Sequence, residues 1–140
     1  MQTAILYPVF LQVFMTFAVL ILMGTARRQS MIANRNRLTD KEVALGTVSW
    51  SEEAQKRSKN FINQFELPVL FYAAVAFSLI LHAADTWMIA LAWSFVLTRF
   101  GHASIHIGVN VVRWRGLLYI VGALLLLIMW VLLAIRVISV

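Results

Sequence analysis

Arg99, His102, His106, Asn110 and Arg113 follow one another at spacings of 3, 4, 4 and 3. On an α-helix turning ~100° per residue, these positions share an arc of roughly 80°. The stripe follows an apolar run, Trp87 to Leu97, that reads as the start of a membrane-spanning helix. Burying guanidinium and imidazole groups at membrane depth is expensive, so such residues face a protein interior and mark a functional site. A second stripe, Lys59, Asn63 and Glu66, is spaced 4 and 3 just before another long apolar run. Its members lie on one helix face within roughly 60°. The two stripes approach the same membrane boundary from opposite directions, and a shared pocket is the expectation. Glu66 needs a cationic or hydrogen-bonding partner to remain ionised there.

Several chemistries compete for this constellation. His102 and His106 at i, i+4 with Glu66 would make a metal site. The neighbouring arginines repel a cation and no HExxH pattern is present, so no metal is assigned. Ser104 lies off the histidine face without a paired acid, which argues against a nucleophilic triad. Proton relay through Glu66 and the histidines is chemically reasonable, although one chain has few helices for a transport path. A purely structural role stays open as well, because polar groups in membrane helices pair with one another and fix register. The same set also suits a module that binds a lipid or an anionic small molecule without catalysis.

The elements that must carry these residues follow from composition. The 140-residue chain is 61% hydrophobic and 13% charged, and its mean hydropathy is +0.82. That apolar share exceeds the ~45–50% of soluble domains, so an all-α integral membrane protein with one domain over residues 1–140 is expected. Four spans are predicted, at about 4–26, 61–84, 86–112 and 117–136. The first holds no charge over 23 residues, and it lacks the basic flank of a secretory signal. The second helix is predicted to begin near residue 52, after Ser51 as N-cap and Glu52 and Glu53 as first-turn acids, and to kink at Pro68. Thr39 to Glu42 is expected to open a short helix within the loop 27–51. The chain contains no cysteine, which removes disulfides, thiolate metal sites and a cysteine nucleophile.

The net charge of +6 reports orientation rather than nucleic acid. Eight of the twelve Lys and Arg lie between Arg27 and Lys59, and Arg113 and Arg115 separate the last two spans. By the positive-inside rule, both basic loops are cytoplasmic and both termini external. Tyr7 and Trp87 are expected at the outer interface, and Trp114 and Tyr119 at the inner one.

Two segments carry a family resemblance, KNFINQFELPVLF from Lys59 and RFGHASIHIGVNVVR from Arg99. They resemble the MAPEG superfamily, the membrane-associated proteins in eicosanoid and glutathione metabolism, and its bacterial members most. The resemblance implies a four-helix bundle assembling as a homotrimer in a bacterial inner membrane. It implies a glutathione-dependent transferase or peroxidase acting on a lipophilic small molecule near the cytoplasmic side, among membrane lipids. By the same resemblance Lys59, Asn63 and Glu66 grip glutathione, and Arg113 holds its sulfur as thiolate. Arg99, His102, His106 and Asn110, read from the stripe itself, are further candidate ligand-binding residues. Lys59 stands where the family has arginine, which keeps charge but loses bidentate geometry. His102, His106 and Leu67 stand where the eicosanoid enzymes have tyrosine.

Overall fold

The computed structural model describes residues 2–33, 39–108 and 111–139. A 3₁₀ turn, Gln2–Ile5, leads into α1 (Leu6–Ala33). Then come α2 (Asp40–Leu45), α3 (Glu52–Asn63), α4 (Leu67–Ile80), α5 (Thr86–Ile107) and α6 (Val112–Ile138). Among the described residues there is no strand. Four stretches are long and apolar enough to cross a membrane: Gln2–Ala33, the α3–α4 pair over Glu52–Ile80, α5 and α6.

Hydrogen bonds at the two ends establish an antiparallel bundle. At one end, Gln2 Nε2 donates to the His82 carbonyl at 3.4 Å, and Arg136 on α6 pairs with Asp85. Asp85 also caps α5, accepting from the Met88 N–H at 2.9 Å. At the other end, Arg27 Nε donates to Ser58 Oγ at 3.1 Å, and the Ser51 N–H donates to Ser30 Oγ at 3.0 Å. The core lies between these ends, where Phe71 and Phe95 stack at 4.6 Å. Ile5, Met88, Val96, Leu126 and Met129 are buried around them.

α5 and α6 form the most extensive helix pair, and two glycines let them approach. A Cβ on Gly122 would lie 2.9 Å from Thr98 Oγ1, and one on Gly101 would lie 3.1 Å from Leu118 Cδ1. The short helix at Thr39 has a full capping box: the Thr39 hydroxyl accepts from the Glu42 N–H, and the Glu42 carboxylate accepts from the Thr39 N–H. That backbone bond, with the Thr39 hydroxyl second, holds the Glu42 carboxyl below the usual range. Gly46 closes α2 in the left-handed region, at φ 68°, where glycine bears no steric penalty. Ser51 caps α3 as its sequence predicts, accepting from the Ala54 N–H at 3.3 Å.

Several boundaries depart from the sequence expectation. α1 runs past Ala26 to Ala33 and carries its basic residues on helix rather than loop. The second helix is broken rather than kinked: α3 ends at Asn63 and α4 starts at Leu67, and it stops at Ile80, short of 84. The cause is Pro68, which has no N–H for the Gln64 carbonyl and whose ring would strike it. The chain leaves the helix four residues upstream and restarts with Pro68 in the first turn of α4, where an N–H is unused anyway. The third helix ends at Ile107, not 112, closing through the Gly108 N–H to the Ser104 carbonyl at 3.0 Å. The last helix then begins at Val112 rather than 117.

Candidate functional site

The helix break exposes backbone carbonyls inside the bundle, and polar side chains fill that need. Gln64 and Phe65 close α3 with tight turns, their N–H groups donating to Phe61 and Ile62 carbonyls at 3.0 and 2.9 Å. The Asn60 carbonyl, which has lost its helical donor, accepts from Gln64 Nε2 at 3.4 Å. The Asn63 carbonyl, which Leu67 would have bonded in an unbroken helix, accepts from Arg99 Nη2 at 2.9 Å. Arg99 thus caps α3 from across the bundle. It is fully buried, and its Nε and Nη1 have no hydrogen-bond partner among the described residues. Its guanidinium carbon lies 5.7 Å from the Tyr119 ring centroid, a cation–π distance.

His102 lies one turn further along α5. Its Nδ1 is 3.0 Å from the Arg115 carbonyl, and its Nε2 is 3.2 Å from Asn63 Nδ2. A carbonyl only accepts, so Nδ1 carries the proton and Nε2 accepts from the Asn63 amide. Asn63, Arg99 and His102 are therefore joined directly, as the two stripes predict. Glu66 joins them through Tyr119, whose hydroxyl donates to Glu66 Oε2 at 3.2 Å. Glu66 is close enough to act electrostatically on Arg99, but the aromatic ring, not an ion pair, bridges the two.

His106 is buried, with its Nδ1 unpartnered among the described residues. Arg115, Lys59 and Lys56 lie near enough for their charges to act on it. Lys59 and Glu66 are on the chain's surface. Arg113 is also exposed, and it belongs to the first turn of α6, not to the α5 stripe. Of the five-residue stripe, Arg99, His102 and His106 lie on α5 and Arg113 on α6. Asn110 lies outside the described residues. Among the described residues, no three His, Cys, Asp or Glu side chains gather as a metal site would require.

Four participants carry no charge and escape a search for ionisable groups. Tyr119 reads in sequence as an interfacial aromatic, yet it stands between Arg99 and Glu66. Gln12, Asn60 and Gln64 form a second buried chain. Gln12 Nε2 donates to Gln64 Oε1 at 3.0 Å, and Asn60 Nδ2 donates to the Ala103 carbonyl at 3.5 Å. The signal for Gln12 was its polarity within an apolar span.

The family model of the MAPEG family matches residues 5–135 of the chain. No curated protein and no solved structure matches it.

Proposed function

The chain belongs to the MAPEG family, and from that premise we propose that it is a trimeric glutathione-dependent transferase or peroxidase of a bacterial inner membrane. In this reading both basic loops face the cytoplasm, and a lipophilic electrophile reaches the site sideways from the bilayer. The observation that carries it is the exposure of Lys59, Glu66 and Arg113 beside a buried polar network. Exposed charges of both signs at the membrane boundary leave their hydrogen-bonding capacity open to a ligand that carries both signs itself. The donor set suits glutathione. Lys59 supplies a cation for a carboxylate, Glu66 an acceptor for an ammonium group, and Arg113 a cation for a thiolate. When bound, glutathione supplies a thiol as nucleophile. Arg113 favours its ionised form through the nearby positive charge. Asn63, Arg99 and His102 lie on the interior side of these groups, already engaged with one another.

The test is conjugation of glutathione to a generic lipophilic electrophile. Arg113→Ala is expected to lower kcat/KM by at least about tenfold, roughly 1.4 kcal/mol of transition-state stabilisation. Equal rates in both proteins, or no turnover in either, reject the enzyme. Native mass spectrometry checks the subunit number.

A second reading has one observation in its favour. Both ring nitrogens of His102 are engaged, so this imidazole is no free base. A non-catalytic module for a lipid or anionic small molecule would use the same charges without turnover. Saturable binding that weakens in Glu66→Gln, with no conjugation, selects it.

A further inference from the structure

The first turn of α6 does little to define its own beginning. Val111, the N-cap, makes no side-chain cap hydrogen bond, so the usual side-chain device for fixing a helix start is missing. His102 holds that turn from outside, through the Arg115 carbonyl at 3.0 Å. The ring is itself fixed at its other nitrogen by Asn63. Asn63 in turn is held through its own carbonyl by the buried Arg99. A continuous line of hydrogen bonds therefore runs from the α3 break, across α5, into the first turn of α6. Gly101, next to His102, faces Leu118 at a distance that admits no larger residue without adjustment. The two helices are thus in close contact at this level.

We propose that His102 is a positioning residue: it sets where α6 begins and so where Arg113 stands, acting through the backbone rather than on a ligand. Arg113 lies in the same first turn, two residues before the carbonyl that His102 holds. Its exposed side chain makes no hydrogen bond or ion pair among the described residues. Its place therefore depends on its backbone. The task assigned to Arg113 rests on the thiolate reading above; the positional claim does not.

The experiment uses the full chain in nanodiscs. Hydrogen–deuterium exchange is followed over residues 112–119, with residues 67–80 as internal reference, beside kcat and KM for glutathione conjugation. H102F removes both nitrogens and keeps a planar ring, and H102N keeps a donor near the position of Nδ1. In H102F, exchange over 112–119 is expected to rise by at least about tenfold while the reference stays within about twofold. In the same variant kcat falls and KM for glutathione stays within about twofold, the mark of lost positioning rather than lost binding. H102N is expected to recover most of both protection and kcat. Unchanged exchange over 112–119 in H102F overturns the proposal. So does a KM that rises in both variants without recovery in H102N, which marks a ligand contact. If H102F does not assemble, N63L frees the ring's other end, and the same local rise in exchange is required. Wild-type protein that turns over no glutathione ends the thiolate reading, and the exchange comparison alone then decides the positional claim.

Discussion

A guanidinium at membrane depth with no carboxylate in contact needs other compensation, and Arg99 finds it in the Asn63 carbonyl and the face of Tyr119. Arg99→Met leaves that carbonyl buried and bare, an expected loss of ~1–3 kcal/mol, read as a lower thermal midpoint in detergent. Arg99→Lys is expected to recover part of this, because an ammonium can reach the carbonyl but cannot also lie flat over Tyr119. A midpoint unchanged in both variants removes the capping role. Arg99, His102 and Asn63 were legible in the sequence because ionisable and amide groups at helical spacing stand out against apolar neighbours. Tyr119 was not, because a tyrosine in a membrane helix looks the same whether it meets headgroups or a carboxylate. Gln12 and Gln64 were hidden for a related reason: their partners are 52 residues apart, and no local pattern links them.

At the scale of helices, the number of spans and the Ser51 cap were readable, whereas the interruptions were placed wrongly. Pro68 announces a disturbance, but its consequence lies upstream, where the chain must abandon the helix before the ring arrives. The end of α5 at Gly108 gave only a weak signal, because the periodic stripe continued past it. Glycines speak more clearly where two helices touch. Gly122→Ala puts a methyl 2.9 Å from Thr98 Oγ1, and that hydroxyl is held by its bond to the Phe95 carbonyl at 2.7 Å. A destabilisation of ~1–3 kcal/mol is expected from this overpacking. Gly101→Ala meets only the end of a flexible leucine and is expected to lose less. Thermal unfolding in detergent orders the two, and equal losses would show that Thr98 turns away freely.

For the molecule as a whole, the proposed sidedness can be checked cleanly because the chain has no native cysteine. Thr47→Cys, before α3, is expected to resist a membrane-impermeant maleimide in intact cells, and Thr86→Cys, at the start of α5, to label. The reverse pattern inverts the topology. The capped break also constrains how the protein is made. A nascent chain that has inserted α1, α3 and α4 already holds an interrupted helix whose Asn63 carbonyl has no donor until Arg99 emerges, 36 residues later. Until α5 arrives that peptide group depends on water at the membrane boundary, so the second crossing is less stable alone than beside the third. The second and third crossings are therefore expected to integrate as a hairpin, and a ribosome stalled between them would present a substrate for membrane quality control.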